Sequence, residues 1–319
     1  MRGPAILNAA GLALVLGASM ASIWTGRPTA SARSEAPPPA SASPDAPIVD
    51  HGGFVLPRGD YRRIIAANTV AAALLLELGE PDRLLAVSED TRNGFRGYRY
   101  AGKATIAHTT DFEAILAMHP DLVLVNVIGD PRPMQRMRDA GVVVFDLGEM
   151  RGLSTLIPNI HQIAAILGHP ERGDAFARSV LEQMATVDVS LAKSGRPRAM
   201  YLSVYGDSVF GGARGTSYDD VLTAAGLVDA AGDYRDWPRY TIEQVLALDP
   251  DVIVTNAGMR PRICEHPALS LLRACGGTDR VVEVDGALLE DPGPAMVEAA
   301  RTIHAAVFGP AATASTPQK

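Results

Sequence analysis

Two segments of the chain share one pattern of apolar and polar positions. The first, Asp111–Asn126, reads DFEAILAMHPDLVLVN, and the second, Thr241–Asn256, reads TIEQVLALDPDVIVTN. Apolar residues at positions i, i+3 and i+4 predict a short amphipathic helix, which Pro120 or Pro250 ends, and an unbroken aliphatic run follows. Because both faces of that run are apolar, it predicts a buried strand in a parallel sheet that helices cover on both sides.

The two segments form an internal repeat. Aligned without gaps, they are identical at six of sixteen positions, and most other positions exchange one aliphatic residue for another. Strand-like and helix-like runs alternate around both copies, which predicts two doubly wound α/β lobes. The predicted strands are Arg62–Ala67, Leu84–Ser88, Leu122–Asn126 and Val142–Asp146, then Ala199–Val204, Val252–Asn256 and Val281–Val284. The predicted helices are Thr69–Leu78, Asp111–Met118 and Pro133–Ala140, then Ser217–Ala225, Thr241–Leu248, Pro267–Ala274 and Pro294–Val307.

Between the halves, Leu153–Lys193 contains no strand-like run. Its Ala, Leu, Ile, Glu and Gln content favours helix, with an interruption near Gly168. The second helical piece, Glu171–Leu191, would be ~30 Å long at 1.5 Å per residue, enough to span the edge of both lobes. We therefore expect a long backbone helix that permits only a small hinge motion.

The N-terminal residues have the layout of a secretory signal peptide. Arg2 precedes an apolar stretch from Ala9 to Ala18, and small residues mark a cleavage point at Ala21 or Ala32. An uncleaved membrane anchor is the alternative, because weakly apolar residues continue for about twenty positions, the length that a helix needs to cross a bilayer. Either version predicts an exported protein in the periplasm.

Composition defines the remaining boundaries. Pro, Ala and Ser dominate the residues after the apolar stretch and predict a flexible linker. The expected organisation is 1–32 signal peptide or anchor, 33–60 linker, 61–150 N-terminal lobe, 151–195 linking helices, 196–309 C-terminal lobe and 310–319 polar tail.

Charge and chemistry exclude several classes of function. The chain of 319 residues is 47% apolar, ample for a large core, and its net charge of −7 argues against a nucleic-acid partner. Cys264 and Cys275 could pair as a disulfide or remain two thiols. The seven His are scattered, which disfavours direct capture of Zn or Mn, and the chain has no nucleophile elbow. We expect a binding protein and no enzyme.

The loops after the predicted strands combine arginine with aromatic residues. Residues Thr91–Lys103 read TRNGFRGYRYAGK, with four basic and no acidic residues. Ligands of open α/β sheets bind beyond the carboxyl ends of the strands, and arginine with aromatic rings suits a bulky anionic chelate. The candidate ligand-binding residues are Arg92, Tyr98, Tyr100, Tyr205, Arg214, Trp237, Arg239, Tyr240 and Arg260.

The repeated Glu-x-x-Leu-Ala-x-x-Pro-Asp segment, with the helical crossover between its copies, resembles the iron-siderophore, haem and vitamin B12 binding proteins of ABC importers. The resemblance covers Arg62–Phe308 and includes the segments AANT, ELGEPDRLLAVS, FGGARGTSYDDVLTAAGL and DRVVEVDG. It implies the class III periplasmic-binding-protein fold, in which a single long helix joins two α/β lobes. It also implies transport of a metal chelate, no intrinsic cofactor and a monomer that delivers its ligand to the transmembrane subunits of an ABC permease.

In proteins of this family, a Glu on each lobe docks to arginines of the permease, and the resemblance places that role on Glu113 and Glu243. Helix capping is the alternative for both, because Thr110 and Glu113 fit a capping box. The sequence also leaves the identity of the ligand open. A ferric siderophore leads, haem could use Tyr98 or Tyr100 as an iron ligand, and cobalamin is the third choice. A free-metal (Zn or Mn) binding protein and a periplasmic sensor or adapter are the alternative functions.

Overall fold

The computed structural model describes residues 46–108, 111–126, 130–186, 195–206, 208–277 and 280–309. The predicted signal peptide and C-terminal tail lie outside these residues. The described residues from Pro47 onward belong to one compact unit. Within the described ranges, no helix is both long enough and apolar enough to cross a membrane.

The first lobe is a parallel sheet with helices on both sides. Its strands are β1 (Ile64–Ala66), β2 (Leu84–Ser88), β3 (Ala104–Ile106), β4 (Leu122–Val125) and β5 (Val144–Asp146). Its helices are α1 (Thr69–Glu77), α2 (Glu89–Asn93), α3 (Phe112–Ala117) and α4 (Arg132–Asp139). The strand order is β3-β2-β1-β4-β5, and every residue of β1 and β4 is buried. The continuous aliphatic runs thus form the centre of the sheet, as their pattern predicts.

Two helices connect the lobes, α5 (Leu153–Ile166) and α6 (Pro170–Thr186). They pack against each other, because Gly168 turns the chain back at a φ of 81° and the His169 amide donates to the Ala164 carbonyl. The described part of α6 has 17 residues and is ~25 Å long. The predicted interruption near Gly168 is therefore confirmed, and of the two helical pieces α5 packs on the first lobe and α6 on the second.

The second lobe contains two sheets. Its strands are β6 (Arg198–Tyr201), β7 (Ser203–Tyr205), β8 (Ser208–Phe210), β9 (Val228–Asp229), β10 (Arg239–Tyr240), β11 (Val252–Asn256) and β12 (Val281–Val284). Its helices are α7 (Ser217–Ala224), α8 (Ile242–Leu248), α9 (Arg260–Cys264), α10 (Gly286–Leu289) and α11 (Met296–Phe308). The parallel sheet has the order β12-β11-β6-β9, and β10, β8 and β7 form a small antiparallel sheet.

One hydrophobic core runs through both lobes. It includes Leu74 in the first lobe, Ile160 in α5 and Val221 and Val297 in the second lobe, all almost completely buried. Each lobe also has one smaller core of its own. The lobes are therefore joined by continuous packing as well as by the chain.

Residues preceding β1 pack on the first lobe. Asp50 is buried, pairs with Arg138 and accepts a hydrogen bond from the Asp146 amide. Val49 and Val55 form an isolated bridge. This segment covers β5, the edge strand of the sheet, and so protects its unpaired backbone groups. The described part of the predicted linker, from Ala46 onward, is thus packed against the lobe.

Two predicted elements differ in the structure. The predicted helix Pro267–Ala274 is replaced by two 3-10 turns, Leu269–Leu271 and Arg273–Gly276. Cys264 and Cys275 form a disulfide with a Cα–Cα distance of 5.4 Å, which ties the second turn to α9. The predicted strand Ala199–Val204 is interrupted at its fourth residue, where the chain leaves the parallel sheet and enters the antiparallel one.

Candidate ligand-binding site

Each parallel sheet has one point at which the strand order reverses. In the first lobe this point lies between β1 and β4, and the residues just beyond these strands include Asn68 and Asn126. In the second lobe it lies between β6, which ends at Tyr201, and β11, which ends at Asn256. Ligands of open α/β sheets bind outside the carboxyl ends of the strands at such points. The last residue of the sequence repeat, Asn126 or Asn256, therefore has the equivalent position in each lobe.

The carboxyl edges of the two sheets meet. Val70, at the start of α1, is so close to Gly293 of the second lobe that a side chain at Gly293 would approach it to 3.3 Å. Arg96 of the first lobe forms an ion pair with Glu298 of α11. We infer that the two reversal points face one cleft between the lobes.

The antiparallel sheet β7, β8 and β10, which we call the flap, continues directly from the carboxyl end of β6. Val209 lies opposite Tyr240, and both face the core of the second lobe. Because side chains alternate along a strand, the other face carries Tyr205, Phe210 and Arg239. The rings of Tyr205 and Phe210 are 6.2 Å apart, and all three side chains are exposed. Two predicted ligand residues, Tyr205 and Arg239, therefore share one accessible surface.

Tyr240 belongs to the opposite, buried face of the flap. Only 4% of the residue is exposed, its ring packs edge-on against Tyr234 at 5.2 Å, and burial raises the pKa of its hydroxyl. A side chain at Gly211 would meet the Tyr240 ring, so the packing around it is tight. Its place in the structure is a core position, in contrast to the cleft position that the sequence predicts.

A stacked tyrosine pair lies beside the flap. The rings of Tyr201 and Tyr218 are 3.8 Å apart and nearly parallel. Burial raises the pKa of both hydroxyls, and the nearby Glu290 carboxylate raises them further. Glu290 is held by Asn256, whose amide nitrogen donates to it at 2.5 Å. None of these four residues is among the sequence candidates. Tyr201 and Asn256 could have been found from their positions, because both end a strand at the reversal point.

On the first lobe, the basic segment after β2 is folded into α2 and a 3-10 turn. A Cβ atom at Gly97 would lie 1.9 Å from the Arg92 carbonyl oxygen, so only glycine fits there. Arg92 donates to the Lys103 carbonyl, which closes the segment. Tyr98 is 77% exposed, whereas Tyr100 is 4% exposed and burial raises its pKa to about 12. Of these candidates, only Tyr98 presents its side chain to solvent.

A cavity of about 190 Å³ lies between this turn, α6 and the start of α11. Its arginines have partners within the protein: Arg99 pairs with Glu77 at 2.5 Å, Arg96 pairs with Glu298, and Arg301 donates to Gln183 at 3.0 Å. The polar lining includes Arg96, Arg99, Tyr100, Asp291, Glu298 and Arg301. The cavity is therefore rich in charge but internally neutralised.

Asp291 is a buried carboxylate in the lining of that cavity. It accepts a hydrogen bond from the Gly293 amide at 2.7 Å. Burial raises its pKa to about 6, against the lowering effect of this hydrogen bond. Its negative charge also contributes to the raised pKa of Tyr100 in the other lobe.

The three remaining candidates lie in different settings. Arg214 is exposed, and Trp237 is 42% exposed with the Arg151 guanidinium 5.1 Å from its ring centre. Arg260 begins α9, and its side chain donates to the Gly277 carbonyl at 3.3 Å. Among the residues with described positions, no group of three or more His, Cys, Asp and Glu is placed to hold a metal ion.

Glu113 is the second residue of α3, and Glu243 is the second residue of α8. Both residues are exposed. These helices precede β4 and β11, so both begin at the carboxyl edge of their sheet and therefore beside the cleft. The capping box of α8 is formed by Thr241 and Gln244, which leaves Glu243 out of it. In the first copy of the sequence repeat, Thr110, the first residue of the predicted capping box, lies outside the described residues. The Glu243 carboxylate accepts a hydrogen bond from its own backbone amide and another from the Thr241 side chain. Both hydrogen bonds lower the pKa of Glu243.

Comparison with known proteins agrees with this architecture. The family model of periplasmic binding proteins matches residues 64–304, and the chain belongs to that family. An uncharacterized ABC transporter substrate-binding lipoprotein of Bacillus subtilis is 22% identical over 203 residues, covering 61% of this chain and 64% of that protein. A cobalamin-binding protein of Halobacterium salinarum is 26% identical over 248 residues, covering 74% of this chain and 66% of that protein. The chain thus matches just under two thirds of each relative's length.

A solved structure shows the same fold. The periplasmic haem-binding protein of a Roseiflexus species superimposes with a TM-score of 0.67 at 24% identity, covering 78% of this chain and 98% of that one. The prediction of two α/β lobes of the periplasmic-binding-protein type is confirmed.

Proposed function

We propose that this protein is the extracytoplasmic substrate-binding protein of an ABC importer for a metal chelate of the iron-siderophore, haem or cobalamin type. The proposal is supported by the strand order of the two parallel sheets, whose reversal points we infer to face one cleft beside an accessible aromatic surface. Such a cleft can enclose a bulky ligand between two lobes. The similarity to a cobalamin-binding protein and to a substrate-binding lipoprotein supports the same class.

The surface chemistry of the flap favours a chelate with both apolar area and negative charge. Tyr205, Phe210 and Trp237 expose ring surface, and Arg239 stands next to Phe210 in register. Aromatic rings cover apolar ligand area, and arginine forms paired hydrogen bonds with carboxylates. In the first lobe, Arg92 and Arg99 already bind protein groups. The positive contacts to the ligand would then come from other arginines, of which Arg239 lies on the flap.

Delivery to a permease would use one Glu on each lobe. Glu113 and Glu243 are exposed and occupy equivalent positions, each as the second residue of its helix. The α8 capping box is complete without Glu243, although the Glu243 carboxylate also accepts a hydrogen bond from its own amide at the start of the helix. We infer that the pair aligns the cleft with the transmembrane subunits. The protein acts as an exported monomer in the periplasm, carries no cofactor of its own and performs no catalysis.

The test is titration of the purified protein with ferric siderophores, haemin and cyanocobalamin, followed by the emission of Trp237. A Trp24→Phe background leaves Trp237 as the only tryptophan of the chain. One chelate should quench the emission with micromolar or tighter affinity. Replacing both Tyr205 and Arg239 with alanine should weaken that affinity at least about tenfold, since a desolvated charge contact and an aromatic contact are lost together.

Leu271→Ala serves as the control, because Leu271 is exposed on a turn of the second lobe outside the flap. Binding of free Zn²⁺ or Mn²⁺ in preference to every chelate would contradict the proposal. So would normal chelate binding by the Tyr205/Arg239 double variant.

A further inference from the structure

We propose that Glu298 is an internal counter-ion, which neutralises Arg96 in the ligand-free protein and yields this arginine to an anionic group of the ligand. The inference rests on the proposed function, because it assigns Arg96 to the contact with an anionic chelate. Two observations carry it: an accessible ion pair between the lobes, and the charge balance of the cavity that the pair lines.

The backbone places Arg96 at the tip of the basic segment. Its φ of 56° and ψ of 27° lie in the left-handed region, which is sparsely populated by residues other than glycine and persists where surrounding structure imposes it. Its guanidinium also lies 5.0 Å from the ring centre of Phe95. The fold therefore holds this arginine at the border of the cavity in a conformation that costs free energy.

The ion pair that Arg96 forms is easy to exchange. Both side chains are 44% exposed, and pairs with this exposure contribute only about 0–1 kcal/mol to stability. A carboxylate or catecholate on a ligand could therefore replace the Glu298 carboxylate at small cost. Glu298 lies in the first turn of α11, so an anion taking its place would also gain from the positive end of that helix.

The second arginine pair of the cavity serves as an internal comparison. Arg99 and Glu77 both belong to the first lobe, so their pairing stays intact when the lobes move. Arg96 and Glu298 belong to different lobes, so their contact depends on how the cleft is occupied. Of the two pairs, the one between the lobes is the pair that a ligand in the cleft can separate.

The experiment uses citrate as a small anionic probe, with isothermal titration of the full chain in low salt. Glu298→Gln removes the counter-ion and retains most of the side chain. Citrate should bind this variant at least about fivefold more tightly than wild type, since Arg96 no longer has to exchange partners. Glu171→Gln is the matched control, because it removes one exposed negative charge outside the cavity and should leave citrate affinity within about twofold.

Adding Arg96→Gln to Glu298→Gln should abolish the gain. Equal or weaker citrate binding by Glu298→Gln, or a gain that survives the loss of Arg96, would overturn the counter-ion role. Thermal unfolding of each variant verifies its folding. In a second arm, haemin and cyanocobalamin are titrated into wild type and Glu298→Gln. Failure of wild type to bind any chelate counts against the proposed function, whereas the citrate arm decides the role of Glu298 by itself.

Discussion

The guanidinium of Arg151 lies over the indole ring of Trp237, 5.1 Å from the ring centre, and also pairs with the Asp236 carboxylate. Arg151 directly precedes the connection between the lobes, whereas Trp237 stands next to the flap strand β10. The electron-rich face of an indole ring attracts a cation placed over it electrostatically. The chain next to the flap is therefore tied to the start of the interlobe connection, and the contact positions Trp237, a candidate ligand-binding residue.

Replacing Arg151 with Met should expose more of Trp237 and loosen the flap. We expect a red shift of the Trp237 emission in the Trp24→Phe background. The free energy of unfolding should fall by about 1–2 kcal/mol, since one stacked cation and its ion pairs are lost. Urea unfolding and emission spectra measure both effects. Arg235→Met, which changes an exposed arginine two residues from Trp237, is the control. An unchanged emission maximum would show that the contact does not form in solution.

The N-terminal segment should depend on one buried ion pair. Asp50→Ala removes the buried carboxylate that pairs with Arg138, and we expect a loss of about 3–5 kcal/mol in the free energy of unfolding. Asp60→Ala breaks only ion pairs with Arg62 and Arg83 near the surface and should cost less than about 1 kcal/mol. Urea unfolding compares the two variants. Similar losses would mean that the segment before β1 contributes little to the fold.

The repeat and the aliphatic runs suffice to predict the centre of the fold, because buried strands need unbroken apolar sequence whatever surrounds them. The predicted bounds of β2, β11 and β12 match those in the structure. The flap was missed because its strands have only two or three residues and owe their form to pairing with one another. Pairing between distant short segments leaves no local periodicity to detect.

The site was only partly predictable for a related reason. Residue type and a position after a strand select Tyr205 and Arg239, which the structure places on the exposed face of the flap. The same criteria also select Tyr100 and Tyr240, which tertiary packing buries. The stacked partner of Tyr201, Tyr218, lies on α7, and nothing in its local sequence indicates that contact. Burial and pairing are set by the whole fold, so they cannot be derived from a loop sequence.

Asp291 should make stability depend on pH. Its pKa is raised from the ordinary 3.8 to about 6, so the folded protein holds this proton more tightly than the unfolded chain does. Stability should therefore fall as the pH rises from about 4 to 6, where the buried carboxyl loses its proton. Asp291→Asn should melt at a higher temperature than wild type at pH 7.5 and at a similar temperature at pH 4.5. Asp233→Asn, at an exposed position, should show no such difference.

Reversal of both docking charges should separate transport from binding. With Glu113→Arg and Glu243→Arg together, uptake of the ligand through the permease should be abolished, because like charges would face the permease arginines. Chelate affinity should change by less than about twofold, since both residues lie outside the cleft wall. Uptake by whole cells and titration of the purified variant measure the two quantities. The double reversal Glu171→Arg with Glu265→Arg, at exposed positions on α6 and directly after α9, controls for net charge. Normal uptake by the first variant would leave no docking role for the pair.

The lobes should close by only a few degrees when ligand binds. Closure by a large angle would have to break the core that runs from Leu74 through Ile160 to Val297, and packed cores resist such deformation. Gly152 begins the connection at a φ of 125°, and a side chain there would meet the Asp220 carboxylate. That carboxylate also accepts the Leu153 amide hydrogen bond at 2.7 Å, which fixes α5 to the second lobe.

X-ray scattering with and without the bound chelate tests this restraint. Wild-type profiles should nearly coincide, with a change in radius of gyration no larger than the experimental error. Asp220→Ala removes the acceptor for the Leu153 amide and frees the start of α5, so its two profiles should differ more than those of wild type. A wild-type difference typical of a wide hinge closure would mean that the shared core separates on binding. The helical connection would then act as a flexible joint despite its packing.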